Sequence, residues 1–169
     1  MTATADARSP HPRIRIALIL IAAIESIGAL RDIPGIFEDF NQPTPLLKFA
    51  QALGSVDHVL AVLLSLAALY FACARRLRLA IAAIAIRMLV TWLCDLPSIA
   101  LHGIEWSLTV GGIEVAGYQI GAPLIAFAAL YLARRNERLG LATILVALPT
   151  IFFWLGVLAF AISVMIHGF

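Results

Sequence analysis

The chain has 169 residues, of which 62% are hydrophobic and only 13% are charged, and its mean hydropathy is +0.98. A typical soluble domain is about 45–50% apolar and about 25% charged. The composition therefore excludes an ordinary water-soluble domain and predicts an all-α membrane protein whose solvent is the bilayer.

Nine of the twelve basic residues lie in three clusters, each beside the end of an apolar run. The clusters are Arg8, Arg13 and Arg15, then Arg75, Arg76 and Arg78, then Arg134, Arg135 and Arg138. Two apolar runs separate each cluster from the next, which is typical of a multi-pass protein whose basic loops lie in the cytoplasm. Because the clusters serve topology, we expect no nucleic-acid partner. The richness in Ala and Arg favours a bacterial chain, and hence the bacterial inner membrane.

The polar residues 1–13 predict a disordered cytoplasmic tail, followed by a single bundle over residues 14–169. The first apolar run extends from about Ile14 to Ile33. We interpret this run as a retained span and not as a signal peptide, because no small-residue cleavage site follows it. A retained span also places every Arg cluster in the cytoplasm.

Thr44 and Pro45 have the signature of an N-cap followed by proline at the first helical position. Apolar residues then recur every three or four positions up to Gly54. This pattern predicts a short amphipathic helix on the periplasmic surface. Ser55 is then suited to be the N-cap of a second span, from about Val56 to Cys73.

The third span runs from about Leu79 to Ala100 and the fourth from about Gly117 to Ala133. The loop between them has no Lys or Arg, so we expect it outside the cytoplasm. Residues 105–115 alternate polar and apolar side chains around Gly111 and Gly112, which is a β-hairpin signal. A small hairpin is therefore predicted to pack on the helix ends between helices 3 and 4.

The fifth span, from about Leu141 to Ile166, has no charged residue, and Pro149 predicts a kink within it. In the fourth span, the motif Gly117-x-x-x-Gly121 would allow a neighbouring helix to approach closely. The sequence thus predicts five transmembrane helices, with the N-terminus in the cytoplasm and the C-terminus outside.

Polar residues of the third span recur every three or four positions and therefore share one helical face. They are Arg87, Thr91, Asp95, Ser98 and His102. Because ionisable groups are costly against lipid, we expect this face to line the bundle interior or a wet cavity. Glu25 lies about 16 Å and Arg87 about 12 Å from the cytoplasmic ends of their spans. We expect them to pair, either as a structural lock or as part of a proton or ion relay.

Further polar groups gather towards the outer end of the spans. They are Arg31, Asp32, Asp57, His58 and Gln119. Arg31 and Asp95 are expected to form an outer gate or ion contact, and His58 and His102 to tune protonation. Each group also has a structural interpretation: Asp57 in a first helical turn complements the helix dipole, and the histidines are interfacial side chains.

Several functions remain open, and none of the familiar enzyme motifs is present. We favour a protein that binds or moves a small solute or proton through a polar cavity on the periplasmic side, without a cofactor. The first alternative is a metal or haem protein, with a divalent metal held by Asp57, His58, Asp95 and His102, or a haem between His58 and His102. The second is an assembly subunit of a larger membrane complex. Expected partners are the lipid bilayer and either a second copy or a larger complex.

The predicted orientation can be tested with a topology reporter. A reporter fused after Phe169 should be active outside the cytoplasm, because five spans place the two termini on opposite sides. A reporter fused after Arg135 is the matched control and should be cytoplasmic. A cytoplasmic signal from the Phe169 fusion would show that one span, most readily the first, has been counted in error.

Overall fold

The computed structural model describes residues 12–34, 45–103 and 110–167, and these residues form five helices. The helices are α1 (Pro12–Arg31), α2 (Pro45–Cys73), α3 (Leu77–His102), α4 (Val110–Arg135) and α5 (Leu139–His167). Four contain segments long and apolar enough to cross a membrane. These segments are Lys48–Cys73, Leu77–Ala100, Val115–Arg135 and Leu139–Ile166. The predicted all-helical bundle is therefore confirmed, and its architecture is that of a multi-pass membrane protein.

Helix α1 differs from the other four helices because charges interrupt its apolar sequence. Arg15 and Glu25 enclose only nine consecutive apolar residues. The helix nevertheless belongs to the bundle, since Leu18 and Ala22 are completely buried. The count of five spans and the orientation in the membrane therefore stay predictions.

The predicted amphipathic helix and second span are one continuous helix, α2, so the predicted break at Gly54 is wrong. Ser55 is not an N-cap, because its hydroxyl donates to the Gln51 carbonyl at 3.2 Å, one turn back in the same helix. A serine that bonds in this way fits inside a helix. A single glycine costs a helix only about 1 kcal/mol, which is too little to end one whose apolar pattern continues.

Two segments expected outside helices lie within them. Residues 110–115, assigned to the turn and second strand of the hairpin, form the start of α4, and residues 104–109 lie outside the described part. An isolated hairpin is marginal, whereas extending a helix adds one hydrogen bond for each residue. The hairpin prediction is therefore wrong for its second half. Pro12 and Arg13, assigned to the tail, begin α1, where proline is well tolerated. Residues 1–11 lie outside the described part.

The described residues of the three Arg clusters lie at one end of the bundle, which we call the arginine end. The Arg15 guanidinium donates to the carbonyls of Ala72, at 3.4 Å, and Cys73, at 3.1 Å, so the start of α1 adjoins the end of α2. A Cβ atom at Gly140, near the start of α5, would lie 3.7 Å from the Ile14 side chain of α1. The α2–α3 and α4–α5 turns, which carry the other two clusters, are therefore at this same end.

Small side chains form most of the core. The buried residues of α4 are all alanine, namely Ala116, Ala122, Ala126, Ala129 and Ala133, and the last four recur every three or four positions. Such a face lets helix backbones approach closely. The glycines of the predicted motif do not serve this purpose: a methyl group at Gly117 would meet nothing within 4 Å, and one at Gly121 would meet only Ile125 of its own helix.

One hydrogen bond between α3 and α4 depends on a proline. Pro123 has no N–H, so the Gln119 carbonyl one turn before it loses its helical partner. The Trp92 indole of α3 donates to that carbonyl at 2.8 Å. Freed carbonyls within a membrane are satisfied by neighbouring helices in this way, and the bond sets the height of α4 relative to α3.

This dependence predicts a non-additive pair of substitutions. Trp92→Phe should lower the unfolding free energy in detergent by about 1–2 kcal/mol, because a buried acceptor is left without a donor. In a Pro123→Ala background, the restored N–H satisfies the Gln119 carbonyl, and the same substitution should cost clearly less. Equal costs in the two backgrounds would show that the indole does not compensate for the proline.

Candidate intramembrane polar site

An ion pair joins α1 to α3 inside the bundle, as the sequence predicted from the depths of the two residues. The Arg87 guanidinium donates through Nη1 to Oε2 of Glu25, and the two side chains are only 26% and 17% exposed. Each charge would be costly alone in an apolar environment, and pairing offsets part of that cost. The apolar surroundings are therefore sufficient to explain why these two side chains pair.

A third helix, α5, joins the pair through Thr150. Its hydroxyl donates to Oε1 of Glu25, and the residue is 8% exposed. Both oxygens of the Glu25 carboxylate are thus bonded, one from α3 and one from α5. The sequence did not predict this contact, because one threonine in an uncharged span carries no pattern. Its only local signal is its position directly after Pro149.

Five hydroxyl groups of the described residues form hydrogen bonds of two kinds. Three bond to the carbonyl four residues back in their own helix, as is common for Ser and Thr in helices. These are Ser26, Ser55 and Thr143. Thr150 and Thr91 instead donate to carboxylates on other helices, the latter to Oδ1 of Asp57 at 2.9 Å. Glu25 and Asp57 are therefore both held in place from a second helix.

Asp57 lies three turns inside α2 and not at its start. The expectation that it complements a helix dipole is therefore wrong, since that effect is confined to the first turn. The cause is the same continuity of α2 across Gly54 that removed the predicted N-cap. Its hydrogen bond to Thr91 instead joins α2 to the polar face of α3.

Tyr118 of α4 lies near both contacts. It is half-buried, and Arg87, Asp57, Asp95 and the Thr91 hydroxyl are close enough to act on its phenol group. The bond from Trp92 to the carbonyl of Gln119, the next residue, holds this part of α4 beside α3. The sequence predicted Gln119 as the site candidate here, and it indicated Tyr118 only as a polar neighbour at the start of the fourth span.

Other predicted site residues are not assembled in this way. Arg31, Asp32, Asp95 and Ser98 are exposed on the bundle surface. Within the described residues, Arg31 forms no ion pair with Asp32 or Asp95, so the expected outer gate is not formed. His58 contacts the Gly54 carbonyl of its own helix through Nδ1 at 2.6 Å. The His102 side chain lies outside the described part.

The described residues contain no group of three or more His, Cys, Asp or Glu side chains that could hold a metal ion. The predicted metal ligands and the predicted haem ligands both include His102, whose side chain lies outside the described part. Both sites therefore stay predictions. Comparison with protein families, curated proteins and solved structures gave no match.

The ion pair leads to a test of stability. Arg87→Leu should lower the unfolding free energy in detergent by about 3 kcal/mol, because Glu25 would remain charged and unpaired in a largely apolar site. Adding Glu25→Leu should recover most of that loss. Arg78→Leu, which removes an exposed arginine of the same helix, is the matched control and should have little effect. An undiminished stability of Arg87→Leu would show that the pair contributes nothing.

Proposed function

We propose that this chain is a multi-pass protein of the bacterial inner membrane that binds or moves a small solute or a proton through the polar groups between its helices. One observation carries the proposal. Two carboxylates within the bundle, Glu25 and Asp57, are each held by a threonine of another helix. Arg87 pairs with Glu25, and Tyr118 lies near both Arg87 and Asp57.

The charges of this region argue against a purely structural network. Arg87 forms an ion pair with Glu25, whereas neither Asp57 nor Asp95 has an ion-pair partner among the described residues. A network that served stability alone would pair its charges, because an unpaired carboxylate at membrane depth costs free energy. Intramembrane carboxylates without such compensation are a usual mark of solute or proton sites.

The polar groups are also distributed unequally along α3. Arg87 lies ten residues from the start of this helix, about 15 Å from the arginine end. The buried side chains of α3 between that end and Arg87 are all apolar. They are Leu77, Ala80, Ile81, Ala83, Ile84 and Ala85. The polar region therefore extends from mid-bundle towards the opposite end, which is the periplasmic side in the predicted orientation.

An assembly role is the second candidate, and α5 supports it. Between Ile151 and Ile166 nearly every residue of this helix is exposed, including Phe160 at 64% and Met165 at 80%. Lipid covers such a surface as readily as a partner helix does, because both are apolar. Solute or proton movement is therefore preferred, since it also accounts for the carboxylates.

Sealed proteoliposomes test this function. Proton entry can be followed with a trapped pH-sensitive dye under an imposed potassium-diffusion potential, and solute entry by light scattering with glycine, urea or glycerol. At least one rate should exceed that of protein-free vesicles, and Glu25→Gln and Asp57→Asn should each reduce it tenfold or more.

The matched control is Glu137→Gln, which neutralises an exposed carboxylate at the arginine end and should leave the rate unchanged. The proposal would be wrong if wild-type vesicles were no more permeable than protein-free vesicles and the purified protein also bound none of these solutes. It would also be wrong if neither intramembrane carboxylate mattered to the rate.

A further inference from the structure

We propose that the solute of this site is a small zwitterion, with its carboxylate bound to Arg87 and its ammonium group facing Asp57. The inference rests on the proposed function and names the class of solute. It follows from which hydrogen-bonding groups of the site are used within the protein and which are not.

The guanidinium of Arg87 is only partly used. Glu25 contacts Nη1, whereas Nε is buried and has no hydrogen-bond partner among the described residues. A guanidinium offers five N–H donors, and the edge formed by Nε and Nη2 matches the two oxygens of a carboxylate. Buried donors are nearly always satisfied, so an unused Nε indicates an acceptor that the described residues do not supply.

An unused acceptor lies on the facing helix. Oε1 of Gln119 is buried without a partner, while the main chain of the same residue is bonded to Trp92 of α3. Arg87 of α3 and Gln119 of α4 thus carry an unused donor and an unused acceptor on two helices that pack against each other. A ligand that satisfies both must itself contain an acceptor group and a donor group.

The charges select the type of ligand. Glu25 offsets the charge of Arg87, whereas Asp57 has no cationic ion-pair partner among the described residues. A lone anion at Arg87 would leave Asp57 uncompensated, and a lone cation would leave Nε unused. A molecule with both charges can place its carboxylate on Arg87 and its ammonium group on Asp57, and it adds no net charge.

The spacing of the two ends sets an approximate size. Thr91, which bonds to Asp57, lies four residues beyond Arg87, or about 6 Å along α3. Amino acids whose carboxylate and ammonium groups are separated by one to three carbons are the matching class. Glycine, β-alanine and γ-aminobutyrate are therefore suitable probes.

The test is ligand binding to the full-length protein in detergent, measured as the shift in melting temperature and by calorimetry. At least one of the three zwitterions should bind. Acetate and methylammonium, which carry one charged end each, should bind at least tenfold more weakly. Arg87→Lys keeps a charge for Glu25 but has no Nε, so it should weaken zwitterion binding at least tenfold, as should Asp57→Asn.

Two further variants keep the test independent of folding at Arg87. Gln119→Leu removes the unused acceptor and should also weaken binding. Arg78→Lys, the same change at an exposed position, should bind as the wild type does. The inference would be overturned if no zwitterion bound, if acetate alone bound as tightly as the zwitterions, or if Arg87→Lys and Gln119→Leu, where folded, both retained full affinity.

The inference and the proposed function can fail separately. Proton entry that depends on Glu25 and Asp57, without binding of any zwitterion, would keep the proposed function and overturn the zwitterion. The absence of both would overturn both.

Discussion

The cost of placing charge in an apolar environment is the constraint on which this bundle depends. Helix α1 brings Glu25 between α3 and α5, where Arg87 and Thr150 bind both oxygens of its carboxylate. Without these partners α1 would carry an unpaired charge into the bundle, and its nine-residue apolar stretch is short for a span. The ion pair therefore explains why a helix with this composition packs with the others.

The same constraint acts on uncharged polar groups. A proline in a membrane helix frees a carbonyl, which must find a donor elsewhere. The indole of Trp92 supplies that donor after Pro123 removes one from α4. This local repair has a long-range result, because it fixes the height at which Tyr118 faces Thr91 and Arg87. The hydrogen bond from Trp92 thus links the backbone hydrogen bonding of α4 to the geometry of the site.

The sequence predicted features that depend on hydropathy and depth, such as the apolar helices and the pairing of Glu25 with Arg87. It did not predict the contacts of Thr150 or Tyr118, because these contacts depend on which helices become neighbours. The errors at Gly54 and at residues 110–115 have another cause. Glycine and serine, considered only with their immediate neighbours, predicted breaks in the helices. Continuation of a helix instead gains a hydrogen bond with every residue.

The distribution of polar groups also constrains how such a site could work. An apolar packing layer of α3 separates Arg87 from the arginine end, so along this helix the polar groups continue towards the opposite end. Binding needs no more than this, whereas passage across the membrane needs a rearrangement of that layer. Helix α5 is suited to sense occupancy of the site, because Thr150 ties it to Glu25 directly beside Pro149. A ligand that drew Arg87 away from Glu25 would alter the charge that Thr150 contacts, at the point where α5 lacks a helical hydrogen bond.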